Sequence, residues 1–386
     1  MNVFAHISRI SAGTKYVLSL LVVLMILFSA FRAAGQAAMP DVVCAGATKH
    51  YVVDPAPGST YIWQVNGVIQ LSTTNEIDIT WDLPYTPAGS PYTLTVQEKS
   101  AEGCFGELKS GLVYINARPN VVFVPCFDTI TTANAKPFKL RGGLPVGGSY
   151  SGTGVNTVTG IFNPGVAGMG MIPVTYTYTN VAGCADSGIR RIHNLPSSAV
   201  ACGTLVTDVR DNKTYPTIQI GSQCWLAANL NYGIIIQSSQ VQVDNCISEK
   251  YCYGNDPANC TGLGGLYQWD ELMKFDNVPA SQGICPPGWH VPDETEWMVL
   301  FNFYGGNGLA GRPLQDTAGN GFLALPGGVL YQDNTWSFMN TATIFWSSAP
   351  AGPIKVISHG MNIYDSSVSY YESLKNNAFP VRCLRD

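Results

Sequence analysis

Eleven cysteines punctuate the 386 residues, none in a Cys-x-x-Cys pair, and their spacing constrains the fold more than any other feature. Cys44 and Cys104 lie 60 residues apart, Cys126 and Cys184 lie 58 apart, and the second pair follows the first by about 80 residues. A period of that length marks a duplicated unit. The segments that end at Cys104 and Cys184, "PYTLTVQEKSAEGC" and "PVTYTYTNVAGC", agree. Each starts at Pro, alternates Thr with an apolar or aromatic residue, and closes on Gly-Cys. Such alternation builds a half-buried strand, with Tyr92, Leu94 and Val96 on one face and Val174, Tyr176 and Tyr178 in the corresponding places of the second unit.

In the first unit "TYIWQVNGVIQ" sets Trp63 on a strand between the paired cysteines, where the core tryptophan of a sandwich stands. The two units resemble the Ig-like or PKD-like modules common in surface proteins of Bacteroidetes. The resemblance implies two β-sandwiches, residues 36–117 and 118–197, that act as spacers. The spacing predicts one bridge in each, Cys44–Cys104 and Cys126–Cys184. "HNLPSSAVACG" reads as the linker that follows, with a boundary near Ser198. His50 and His193 are read as solvated or packed side chains.

At the start of the chain Arg9 and Lys15 precede the apolar run Tyr16 to Phe28, and small residues put Ala33 and Gly35 at the −3 and −1 positions of a cleavage site before Gln36. This is the pattern of a secretory signal peptide over residues 1–35. A thirteen-residue run is short for a membrane span, which needs about 20. The expectation is export to the cell surface, the periplasm or the medium, with the membrane met only through the transient signal. Removing Arg9, Lys15 and Arg32 with that leader leaves 18 basic against 26 acidic groups, a net charge of −8, which argues against nucleic acid as a partner. An oxidising destination makes the cysteines disulfide partners with one left over.

From Cys202 the texture changes to "DVRDNKTYPTIQIGSQCWLAANLNYG", "EKYCYGNDPANC", "GGLYQWDELMKF", "QGICPPGWHVPDETEWMVL", "GFLALPGGVLY", "FWSS" and "AFPVRCLRD". In this order the motifs resemble the FISUMP domain (Fibrobacter succinogenes major paralogous domain), over residues 200–386. The order of a Trp-bearing helix, a "WSS" segment and a closing strand is also similar to the C-type lectin-like and formylglycine-generating-enzyme folds. The whole is then a mainly β multidomain chain, two sandwiches followed by an α+β domain. Within that domain the expected bridges are Cys252–Cys260 and Cys285–Cys383, with Cys202–Cys224 as a third and Cys246 as the odd thiol, although which of Cys202, Cys224 and Cys246 is unpaired stays open in the sequence.

"CPPGWHVPDETEW" gathers a cysteine, a histidine and three carboxylates, the ingredients of a reactive site. Their spacing has a structural reading instead. Asp293 and Glu296 stand at the spacing of a capping box, in which each side chain bonds the other's backbone N–H. Behind it Trp297, Leu300, Phe301 and Tyr304 form one apolar stripe of a helix that stops at Gly305-Gly306. His290 has no second histidine at metal spacing. No catalytic residue, metal ligand or cofactor is expected.

The calcium-dependent sugar runs of lectins are missing; "YQDNTW", Tyr331 to Trp336, is the nearest approach and reads as a turn. The carboxylates Asp270, Glu271 and Asp293 cannot be placed across a glycosidase cleft from sequence. Binding is therefore favoured over catalysis, with a glycan or a surface protein as the partner; a structural part of a surface assembly, or a carbohydrate-active enzyme, are the alternatives. The tyrosines, serines and asparagines of Ser358 to Asn377 have the chemistry of a recognition surface. In "SSVSYYES" Val368 marks the inner face with Tyr370, so Tyr371 points outward. Tyr371, Tyr364, Trp346, Asn362 and Ser369 are the candidate ligand contacts, and the loop Asn255 to Leu263 is the next choice.

Overall fold

The computed structural model describes residues 41–82, 91–197, 201–316 and 321–386. The expected leader and the boundary at Ser198 lie outside them. The chain is mainly β, and packing divides it between Arg118 and Pro119 into two compact units.

The first unit is a sandwich. Five strands in the order Asp41–Cys44, Lys109–Asn116, Tyr92–Lys99, Thr60–Val65 and Val68–Ile69 form one sheet, and Thr48–Val52 pairs antiparallel with Glu76–Thr80 to form the other. Alternation does the sorting: Ile77 and Ile79 face inward from Glu76–Thr80 while their neighbours face water. Trp63 is fully buried, and its indole N–H donates to the Thr74 carbonyl at 2.9 Å. Leu94 and Val96 are buried with Tyr92 packed beside them, as the alternation predicts.

The second unit joins another sandwich to the C-terminal domain. In the sandwich, the long hairpin Gly170–Thr179 and Ala185–Leu195 is flanked by Ser149–Gly152 and Ile130–Thr132, and it packs Val174, Tyr176 and Ile192 around Phe123 and Phe162. In the C-terminal domain a five-stranded sheet runs Leu205–Thr207, Thr214–Ile220, Gln223–Leu226, Leu384–Arg385, Trp289–His290. A four-stranded sheet orders Tyr267–Gln268, Ala378–Phe379, Gly327–Leu330 and Trp336–Met339, and a three-stranded one orders Ala342–Pro350, Lys355–Asn362 and Ser369–Leu374. The last sheet has apolar cover on both faces. One side joins the core of Trp346, Val356 and Phe379; the other carries Phe345 and Met361 against the helix Glu294–Phe303.

That helix begins as the sequence predicts. Asp293 Oδ1 accepts from the Glu296 N–H at 2.9 Å and Glu296 Oε2 accepts from the Asp293 N–H at 2.9 Å. Trp297, Leu300 and Phe301 are fully buried and Tyr304 packs beside them. His290 lies between two carboxylates, with Nδ1 2.7 Å from Asp386 Oδ1 and Nε2 2.9 Å from Glu296 Oε1. The stretch is a capped helix start, tied to Cys383 through Cys285.

The bridges Cys202–Cys224, Cys252–Cys260 and Cys285–Cys383 are present. Three expectations fail. Cys126 bonds Cys246 and not Cys184, so Cys246 is not the odd thiol. Cys104 is free and exposed, which removes the Cys44–Cys104 bridge. The physical reason is the seam between the sandwich and the C-terminal domain. Arg141 grips Asp244 with two bonds of 2.9 and 2.8 Å, Arg210 reaches Asp128 at 2.9 Å, and the Lys136 N–H donates to Asp386 Oδ2 at 3.3 Å. Gly288 meets Asn134 there at a backbone angle φ of +84°, where a side chain would be both strained and crowded. These contacts carry Cys126 to Cys246.

Candidate binding groove

Paired strands put cross-strand partners on the same face, so Trp346, Ser358 and Tyr371 form one row across the three-stranded sheet. The row passes from core to surface. Trp346 is 1% exposed and its indole N–H donates to the Tyr267 carbonyl at 2.8 Å; Ser358 is buried with its hydroxyl 2.7 Å from that of Ser373; Tyr371 is 45% exposed. Trp346 therefore shares the face of Tyr371 but not its surface, and the expectation that it contacts a ligand is corrected. Tyr370 opposes His359 on the other face, the face that carries Val368.

Tyr371 lines a groove of about 720 Å3. Ile344 and Phe379 lie at its base, with Tyr371 to Leu374 on one side and the turn Tyr331 to Asp333 on the other. The turn is a local necessity. The Asn334 N–H closes on the Tyr331 carbonyl at 2.9 Å, Asn334 holds a φ of +66°, and Asp333 Oδ1 accepts from the Thr335 N–H at 3.0 Å. Asn377 Oδ1 ties the turn to the far wall by accepting from the Gln332 N–H at 3.1 Å. "YQDNTW" is thus a turn, and it supplies half of the groove, which the sequence did not disclose.

A third ring comes from Phe338, 44% exposed and held at φ +67°, a conformation that residues with side chains seldom adopt. Its ring stands edge-on to Tyr331, with centroids 6.3 Å apart. Burial, with Tyr371 nearby, raises the Tyr331 phenol above its ordinary value, so it stays a neutral donor. The Thr335 N–H and hydroxyl hold Asp333 below the carboxylate norm, so it stays an ionised acceptor. Lys355 and Glu372 face each other at 3.8 Å on the rim.

Of the other sequence candidates, Tyr364 is 80% exposed in a turn outside the groove, where Asn362 Oδ1 accepts its N–H at 2.9 Å. Ser369 pairs with Gly360 at the start of the edge strand. Neither Asn362 nor Ser369 lines the groove. The loop Asn255 to Leu263 borders a separate cavity of about 680 Å3 with Cys260, Thr261 and Gly262. Among the described residues no cluster of His, Cys, Asp and Glu could hold a metal ion, and no helix is long and apolar enough to cross a membrane.

Residues 218–385 match the family model of the Fibrobacter succinogenes major domain. No curated protein matches the chain. Among solved structures it is similar to a Ca2+-stabilized adhesin with which an Antarctic bacterium binds ice, at 14% identity and a TM-score of 0.22 over 50% of this chain. The chain covers 61% of that adhesin. It is similar also to immunoglobulin domains 1–4 of Sidekick-1, at 15% identity and a TM-score of 0.15 over 41% of this chain and 49% of that one. A third is the Bacteroides ovatus mixed-linkage glucan utilization locus protein SGBP-B in complex with a mixed-linkage heptasaccharide, at 11% identity and a TM-score of 0.19 over 92% and 96%. With scores this low, the chemistry of the groove rests on its own residues.

Proposed function

We propose that the chain is an exported, non-enzymatic binding protein of the cell surface, the periplasm or the medium, and that the Tyr371 groove holds a carbohydrate. The observation that carries this reading is the set of rings Tyr331, Phe338 and Tyr371 around one groove edged by Gln332, Asp333, Lys355 and Asn377. A sugar presents an apolar C–H face and a rim of hydroxyls. Half-exposed rings accept the face, and adaptable amides and charged groups bond the rim. A glycosidase would instead need a carboxyl raised toward neutrality facing a second one, whereas Asp333 is shifted downward.

The rest of the reading follows the domain plan. The pairing of Gln223–Leu226 with Leu384–Arg385, near the two ends of the C-terminal domain, supports a C-type-lectin-like plan, and the sandwiches before it are read as Ig-like modules. A glycan array probed with the purified chain tests the function. The expected result is saturable binding to at least one oligosaccharide, with Tyr371→Ala weakening affinity about 30-fold or more, the effect of removing a central aromatic anchor. A folded Tyr371→Ala protein with unchanged affinity would remove the groove from the account. No saturable glycan at all would favour a structural role in a surface assembly.

A further inference from the structure

Another cavity, of about 230 Å3, lies at the seam inside the C-terminal unit, beside the Cys126–Cys246 bond. Asp128 and Arg141 line it from the sandwich, and Tyr232, Glu271 and Lys274 from the C-terminal domain. Most of its charges are already saturated. Arg210 holds both oxygens of Asp208 at 2.8 and 2.7 Å and reaches Asp128, while Arg141 holds both oxygens of Asp244.

Two groups are not. Glu271 is 2% exposed; one of its oxygens accepts from the Glu249 N–H at 3.1 Å, and the other has no partner. Buried carboxyl oxygens are rarely left so. The Lys274 ammonium donates to the Ser248 hydroxyl and lies 5.7 Å from the centre of the Tyr232 ring, one hydrogen bond for a group with three donors. The backbone singles out the same place. Lys274 and Phe275 stand in succession at φ +53° and +55°, and both line the cavity. Non-glycine residues keep such angles where the surroundings impose them, and ligand clamps are among those surroundings.

The charges choose the ligand. Along the lining Arg141, Arg210 and Lys274 stand against Asp128, Asp244 and Glu271, so the local field is near balance, and neither a free anion nor a free cation is favoured. A hydroxyl suits both open groups, accepting from Lys274 and donating to Glu271. The volume is below the roughly 300 Å3 at which drug-sized pockets begin, which leaves room for a single small ring. We propose that this seam cavity is a second site, separate from the Tyr371 groove, that takes one neutral sugar ring or a comparable small polyol between Lys274 and Glu271.

The test uses the purified chain with glucose, galactose and mannose as probes at millimolar concentration, followed by saturation-transfer NMR and thermal shift. At least one hexose should give transfer signals and raise the melting temperature, and Glu271→Gln and Lys274→Met should each weaken its binding about tenfold or more. Glu271→Gln keeps the side chain's shape, so it decides the matter even where Lys274→Met fails to fold. The proposal is overturned if no hexose binds, if hexose binding survives Glu271→Gln, if binding disappears with Tyr371→Ala and so belongs to the groove, or if phosphate or acetate occupies the cavity instead.

Discussion

The ring of Tyr371 lies across the backbone of Gly360, so that a β-carbon added at the glycine would stand 2.6 Å from Tyr371 Cε2. Gly360 occupies extended backbone, so it is space and not backbone conformation that the position demands. Gly360→Ala should turn the half-exposed ring out of its seat. Glycan affinity should fall about tenfold through the displaced anchor, while stability changes by about 1 kcal/mol or less, because the ring can move into the open groove. Titration calorimetry beside urea unfolding would check it; an unchanged affinity would mean that the ring's seat does not matter.

His290 makes stability depend on pH. Burial pulls its pKa down, but the hydrogen bonds to Asp386 and Glu296 outweigh burial and raise it. For Glu296, burial pushes upward and is outweighed by the bond to His290, so its pKa is lowered. A raised histidine contributes fully below its unfolded value of about 6.5 and loses that contribution as pH rises through the higher folded value. A lowered glutamate contributes above its unfolded value of about 4.3 and loses it as pH falls through the lower folded value. The pair therefore stabilises most between those two unfolded values. His290→Asn should cost about 1–3 kcal/mol there, since Glu296 and Asp386 each lose their charged partner and keep a backbone donor, from Asp293 and from Lys136, and the difference from the parent should shrink above neutrality. A difference that stays flat from pH 5 to pH 9 would count against the charged pair.

Peptide mapping without reductant should recover Cys126 linked to Cys246, and a maleimide should label Cys104 in the native protein. Cys246→Ser should lower stability by roughly 2–4 kcal/mol, the usual effect of opening a long covalent loop. Recovery of a Cys126–Cys184 peptide would restore the pairing that the repeat spacing suggested.

The helix Glu294–Phe303 supplies a graded pair of tests. Asp293→Ala removes one arm of the capping box and should cost about 1 kcal/mol. Trp297→Ala opens a cavity among Trp225, Phe301, Phe345 and His359 and should cost roughly 3–5 kcal/mol. Equal losses in thermal unfolding would contradict this division between cap and core.

Local rules made much of this legible in advance. Capping at Asp293, the stripe behind it, the alternation at Leu94 and Val174, and the short bridge Cys252–Cys260 depend on residues near one another in the chain. Cys126 and Cys246 are 120 residues apart. Their meeting depends on how a sandwich seats against a neighbouring domain, and no periodicity encodes that. Tyr371 shows the same limit at smaller scale. Alternation assigned it the face opposite Val368, but alternation does not tell how far along the cross-strand row the cover extends, and Trp346 in the same row is sealed. The turn at Tyr331 and the ring of Phe338 reach the groove from another sheet, and only the packing of the two sheets brings them there.

The position of Leu384–Arg385 sets an order in time. This strand lies inside the five-stranded sheet, between Gln223–Leu226 and Trp289–His290, so the sheet has a gap until Leu384 and Arg385 have been delivered. Cys285, likewise, waits for Cys383 with its thiol unprotected. A chain exported from its N-terminus, as proposed above, would reach the far side with this domain still open, and would close it only after Leu384 and Arg385 arrive. Contacts of such long sequence separation also make closure slow. Under the proposed export, late assembly would keep the domain threadable during its passage, and the Tyr371 groove would take shape only in the compartment that the chain reaches.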